Sequence, residues 1–249
     1  MAGHSHWAQI KRKKGANDAK RGKVFSKIAK KITAAAKAGG GDPDGNLRLR
    51  YAIDEARKEN MPKDSIENAI KKGTGELGGA NDFEELIYGG YGPNGVAILC
   101  EILTDNRNRT APEIKKMFER RGGKFDDSGS TVYKFEQKGV IYIKKDAITE
   151  EALLELVLEA GADEIIGDDP DVWEIHAPVE TFRPVREAVE AAEIPMEDAS
   201  ISRLPSLEIE LDVDASGKVM RLIDELEEHD DVGNVYTDAK FAEAFESVE

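Results

Sequence analysis

The first forty residues hold one acidic side chain, Asp18, among eleven lysines and arginines, and this imbalance limits how the stretch can fold. A helix there gains nothing from i,i+4 ion pairs. It must instead be held by an apolar face packed on other elements. The residues supply that face: at about 100° per residue, Val24, Phe25, Ile28, Ala29 and Ile32 share one arc, and Lys20, Lys23, Lys27, Lys30 and Lys37 share another. We therefore expect a helix from Asn17 or Asp18 to about Ala38, ended by Gly39-Gly40-Gly41, with five lysines on a solvent face. Arg21, in the first turn, interrupts the separation of the two arcs.

The sign of the charge then reverses. Residues 41–75 are balanced, and residues 76–249 carry 17 basic and 42 acidic side chains, a net of −25 against +10 for residues 1–40. The total of −15 over 249 residues would argue against a polyanionic partner, but the segregation argues for one. A basic block on an acidic body holds the bulk away while the block engages. An unpaired lysine ladder repels itself unless a polyanion neutralises it.

Residues 1–15, polar and basic without an apolar period, read as a mobile arm containing His4-Ser5-His6-Trp7 and Lys11-Arg12-Lys13-Lys14. Trp7 can stack on an unpaired base, worth ~1–3 kcal/mol, or pack back on the helices. His4 and His6 lack the further spaced ligands of a metal site, so no metal and no cofactor are expected. The single cysteine, Cys100, excludes an intrachain disulfide and suits a reducing cytosol. No apolar run approaches the ~18 residues of a membrane span. The lysine-rich N-terminus, nine Lys to two Arg, differs from an Arg- and Ser-rich mitochondrial presequence. A cytoplasmic protein without membrane association is expected.

Along the chain, a second helix is expected after Asp44, through Leu47, Tyr51, Ile53 and Ala56, and a third from Pro62 to Gly73, closing a small all-helical unit at the linker Gly73–Gly79. The remainder alternates strand and helix signals. Glu85–Tyr88 and Val96–Leu103 read as strands joined by Gly89–Gly95. Thr110 with Glu113 reads as a capping box for a helix ended by Gly122-Gly123. Val132–Phe135 and Val140–Ile143 read as a hairpin across Gln137-Lys138-Gly139. Thr149 opens a helix that Gly161 closes, strands at Val172–His176 and Ser200–Arg203 flank a helix from Val179 to Glu193, and Leu207–Val213, a helix around Val219–Leu226 and Val232–Tyr236 follow. The fold class is α+β: a small all-helical N-terminal domain followed by two α+β domains.

Long stretches of these residues resemble the YebC/PmpR family. They are Met1–Trp7, Lys20-Arg21-Gly22-Lys23, Asp42-Pro43 with Leu47-Arg48, Asn60-Met61-Pro62, Tyr88–Ala97, Leu103–Thr110, Gly122-Gly123 and Asp230–Tyr236. His6 stands where the family pattern has lysine, and Arg12-Lys13 where His-Arg is usual. The resemblance implies a YebC-like three-domain architecture in which the third domain interrupts the second. The domains are then 1–79, a basic helical domain with its arm; 80–130 with 204–249, a discontinuous middle domain; and 131–203, an inserted acidic domain. It also implies a probable transcriptional regulator that binds DNA. The similarity to the mitochondrial translational activator of cytochrome c oxidase I implies instead a ribosome-associated factor that eases synthesis of difficult, proline-containing stretches.

The residues bear on that choice without closing it. No helix-turn-helix is evident, because the first two helices are joined by a long glycine-rich linker. Lysine-dominated charge suits phosphate contact more than bidentate guanine reading. An enzyme is not expected: Asp105-Asn106-Arg107-Asn108-Arg109-Thr110 reads as a structured turn with a helix cap, and no P-loop, dinucleotide motif or Cys/His set is present. A pure protein-interaction module would leave the lysine face unexplained. Candidate nucleic-acid contacts are His4, His6, Trp7, Lys11, Arg12, Lys13, Lys14, Lys20, Arg21, Lys23, Lys27 and Lys30, with Arg107 and Arg109 as a second anion contact and Gly39–Gly41 letting the basic helix adjust. The partners expected are DNA or ribosomal RNA, with ribosome or transcription machinery meeting the acidic domains. His176 and His229 read as structural or surface residues, and Cys100 as core.

Overall fold

The computed structural model describes residues 21–78, 82–126 and 129–242. The chain divides into two compact units, one spanning Ala16–Gly129 with Gly217–Val235, the other containing Ser130–Ser216 and the segment from Tyr236 onward.

The first unit opens with three helices, α1 (Arg21–Gly39), α2 (Leu47–Lys58) and α3 (Lys63–Thr74). Their apolar stripes meet in one core of Ile28, Ile32, Ala35, Ala36, Leu49, Ala52, Ile53, Ala56, Met61, Ile66 and Ala69, with Val24, Phe25 and Ala29 against it. The helix set expected from periodicity is thus observed, because each helix alone presents an apolar face that only its neighbours can bury. Helix α2 starts after Asp44, as expected, and is capped by Asn46: its Oδ1 accepts the Leu49 N–H at 3.1 Å while its Nδ2 donates to the carbonyls of Ala35 and Gly40. One detail differs. Gly73 does not stop α3 but lies inside it, where α1 approaches so closely that a Cβ would sit 2.5 Å from the Thr33 carbonyl oxygen. The stop is Gly75, with φ +84°.

The same unit continues with a four-stranded sheet of order β3-β1-β2-β9, from β1 (Glu84–Tyr91), β2 (Ala97–Thr104), β3 (Lys124–Asp126) and β9 (Val232–Thr237). The C-terminal part of the chain therefore returns to this sheet, and Gly217–Val235 belong to this unit. Strand β1 does not end at Tyr88 but runs through Gly89 and Gly90 to Tyr91. Gly90 carries no side chain because the Phe118 ring of α4 (Arg107–Arg120) rests on it, leaving no room for one. Helix α7 (Val213–Glu227) buries Val219, Leu222, Ile223 and Leu226.

The second unit is built on the antiparallel sheet β5-β6-β4-β7, from β4 (Phe135–Lys144), β5 (Glu164–Ile166), β6 (Val172–Ala177) and β7 (Met196–Pro205), with α5 (Glu150–Glu159) and α6 (Phe182–Ala191). The hairpin expected across Gln137-Lys138-Gly139 is absent. Phe135–Lys144 is one strand, paired with β6 and β7 on its two sides. Gly139 is small because Phe182 packs on it, a built Cβ lying 2.3 Å from the ring, and not because the chain turns there. A parallel pair of β8 (Ile209–Glu210) and β10 (Ala239–Lys240) completes the unit. His176 is structural, as one of the two readings had it: its Nε2 lies 2.6 Å from Glu174 and both side chains are buried.

Candidate nucleic-acid interface

The lysine row on α1 is not a bare solvent face. Lys23 Nζ donates to the Glu228 carbonyl at 3.3 Å, Lys27 to that of Glu227, and Lys30 to that of Asp230 at 3.0 Å. Lys30 also pairs with Asp231 Oδ1 at 2.8 Å. These acceptors are the last carbonyls of α7 and of the turn after it, where a helix has no internal donors and its dipole is negative. The spacing Lys23, Lys27, Lys30 is one helix face, so a single row of ammonium groups caps the end of α7. Lys37, the last of the row, pairs with Asp82, and Lys31 with Glu55 at 2.8 Å. The expectation of an unpaired ladder failed because its partners lie some 200 residues further along the chain. Gly39–Gly41 does not form a loose hinge either. A Cβ at Gly39 would strike the Asn46 side chain, and one at Gly41 the Thr74 and Ile70 methyls.

Behind this contact lies a buried acid, Asp231, only 3% exposed. Its Oδ2 receives Arg109 Nη2 at 2.6 Å and the Thr110 hydroxyl at 2.8 Å; the Thr104 hydroxyl, 3.1 Å away, also takes the Asn106 N–H at 2.9 Å. Burial alone would push this carboxyl up, but hydrogen bonds from Lys30, Arg109 and Thr110, with the Lys30 charge, outweigh it and hold it far below the usual carboxylate range. The Asp231 N–H donates to His229 Nδ1 at 3.1 Å, leaving Nε2 to donate to Glu113 at 2.9 Å.

Two expectations for this loop need correction. Thr110 is not an N-cap: α4 starts earlier, capped by Asn106 on the Arg109 N–H, and Thr110 is fully buried against Asp231. Arg109 is not a free surface cation: its guanidinium is engaged by Asp231 and by Asp105 at 3.1 Å, although it stays 44% exposed. Arg107 is exposed at the start of the helix and has no acidic partner among the described residues. His4, His6, Trp7, Lys11, Arg12, Lys13, Lys14 and Lys20 lie outside the described residues, and Arg21 opens α1 with its side chain outside them. Cys100 is core, its thiol raised by burial and by the charge of Glu227.

The comparisons with known proteins cover both the helical and the α+β parts. The N-terminal domain profile of the TACO1/YebC proteins matches residues 5–76, and the profile of their second and third domains matches residues 83–239. The chain belongs to the TACO1/YebC family. Curated relatives named probable transcriptional regulatory protein include one from Chlorobaculum parvum, 50% identical over 98% of this chain and 97% of its own. Another, from Geobacter sulfurreducens, is 51% identical over 95% of this chain and 94% of its own. A solved structure, a conserved hypothetical protein of Aquifex aeolicus, is 43% identical with a TM-score of 0.84, covering 98% of this chain and 99% of that one. The stretches that carried the resemblance, Leu103–Thr110 and Asp230–Tyr236, thus meet in space at Asp231 in this TACO1/YebC chain. Among the described residues no helix is long and apolar enough to cross a membrane.

Proposed function

We propose that the protein is a non-enzymatic regulator of gene expression that binds DNA through the basic residues of its N-terminal domain. The observation that carries this reading is the division of labour among the first forty residues. Lys23, Lys27 and Lys30 are taken up by α7 and Asp231, whereas Lys11, Arg12, Lys13, Lys14 and Lys20 belong to a stretch whose single acid is Asp18. Phosphate contact therefore falls mainly on the residues before α1, with Trp7 available to stack. The names of the relatives agree with a role in transcription.

A second reading, a ribosome-associated factor that binds ribosomal RNA and eases synthesis of proline-containing stretches, is favoured by two observations. Lysine outnumbers arginine nine to two in residues 1–40, and α1 and α2 are joined by residues 40–46, longer than the 3–4-residue turn of a helix-turn-helix.

One pair of measurements separates the readings: binding to a random DNA duplex and co-sedimentation with ribosomes, at matched physiological salt. Changing Lys11, Arg12, Lys13 and Lys14 together to Gln should lower the slope of log affinity against log salt on duplex DNA by roughly 3 to 4. An unchanged slope removes these residues from the interface. Weak duplex binding beside co-sedimentation that is lost in the same variant establishes the ribosomal reading in place of the first.

A further inference from the structure

Residues 76–249 are strongly acidic, yet one place on them has the opposite sign. On α4, Lys116 lies one turn before Arg120, and Arg121 follows at the helix end. On α7, Arg221 lies one turn before Glu225. The two helices meet there. Arg120 and Arg121 Nε both bond the Glu225 carboxylate, the latter at 2.5 Å, and Glu225 is 11% exposed beneath them. Lys116 and Arg221 are exposed and have no acidic partner among the described residues. The neighbouring acid on α4, Glu119, is paired with Lys115 at 4.0 Å, and Asp224, beside Glu225 on α7, is half-buried with a contact of its own. Two cations thus hold one carboxylate, with Lys116 one helical turn from Arg120 and Arg221 one turn from Glu225.

One arginine would satisfy Glu225 and tie α4 to α7. A second guanidinium, with Arg221 and Lys116 beside it, exceeds any structural need. Arg120 and Arg121 remain 61% and 38% exposed, so their unused N–H groups face solvent in positions set by the carboxylate below. Fixed guanidinium forks with flanking point charges suit a phosphodiester group. The location adds to the argument: Glu228, whose carbonyl takes Lys23, follows Glu225 by less than one helical turn. The cluster therefore adjoins the Lys23 end of the described part of α1.

We propose that Lys116, Arg120, Arg121 and Arg221 form a second phosphate-binding surface, which takes the backbone of the same nucleic acid that the N-terminal basic residues engage. This inference rests on the nucleic-acid reading above. Phosphates held at both places would explain a cation cluster on a body that otherwise repels polyanions.

The test uses Lys116→Ala with Arg221→Ala in the full chain, since neither side chain has a partner among the described residues whose loss would disturb the fold. The probes are a random DNA duplex and an RNA hairpin of matched length, titrated over a salt series. The double variant should melt as wild type does, bind about tenfold or more weakly to the probe that wild type prefers, and show a salt slope smaller by about two. Lys116→Arg with Arg221→Lys should restore both. Unchanged affinity and slope on both probes, with binding still lost in the Lys11–Lys14 variant, would overturn the second surface and leave the functional reading standing. A wild-type protein that binds neither probe would overturn both.

Discussion

Replacing Asp231 by Asn should cost the first unit about 3 kcal/mol, because Lys30, Arg109 and the Thr110 hydroxyl then face an amide that brings two more donors. Arg109 and Lys30 are partly solvated, at 44% and 26% exposure, which keeps the loss below that of a fully buried charge left alone. For a chain of this length that corresponds to a fall in Tm of roughly 6–12 °C, readable by circular dichroism. The Asp231 carboxyl has a depressed pKa in the fold, so its contribution is fully present above the unfolded value of about 4. It is lost as the pH falls from there toward the folded value. Wild type should therefore lose stability on acidification below about pH 4 more steeply than Asp231→Asn. If the two proteins unfold alike in urea at pH 7, the carboxylate does not hold this junction. A double-mutant cycle with Lys30→Met would isolate the share that ties α1 to the sheet.

Gly73→Leu should be at least as damaging to the helical core. The Cβ of any larger residue meets the Thr33 carbonyl at 2.5 Å and the Ala36 methyl at 2.7 Å, and neither can swing away as the tip of a long side chain can. The nearby bond from the Thr33 hydroxyl to the Ala69 carbonyl, 3.1 Å, depends on the same close approach of α1 and α3. Overpacking of a tight core contact costs about 1–3 kcal/mol for small increments, and a leucine against backbone should exceed 3 kcal/mol. Gly73→Ala, whose Cβ meets the same two atoms, should fall near the upper end of that range. The check is thermal melting of both variants, and a Gly73→Leu protein as stable as wild type would show that the helices do not pack as closely as described.

The two variants probe places that were legible to very different degrees. The helical domain follows from local pattern: Ile28 and Ile32, Leu49 and Ile53, Ile66 and Ala69 recur at helical spacing, and all are buried where that spacing puts them. Gly73 carried no such signal, since a glycine near a helix end reads equally as a stop. The same ambiguity turned Gly139 into an expected turn and Gly90 into part of an expected loop, although in both places the missing side chain makes room for a phenylalanine from a distant helix. The short strands Lys124–Asp126, Glu164–Ile166 and Ala239–Lys240 have too few residues for alternation to register at all.

The candidate site divides along the same line. Thr110 with Glu113 has the spacing of a capping box, but Asn106 caps the helix and Thr110 serves Asp231, 121 residues away. His229 and Glu113 meet across a similar distance in sequence. Glu225, the carboxylate that gathers Arg120 and Arg121, is one of many acids in a −25 stretch and carries no local mark.

By itself, the amino-acid sequence determined the element types, the helical core, the charge segregation and the family to which the chain belongs, because all of these depend on neighbours within a few turns or on long motifs. Only the tertiary structure decided which charges are spent. Lys23, Lys27 and Lys30 became caps for α7, Arg109 became the partner of Asp231, and Lys116 and Arg221 stayed without an acid of their own among the described residues. The physical reason is that a charge is neutralised by what lies within a few ångströms of it, and in this fold those neighbours come from segments a hundred or more residues apart.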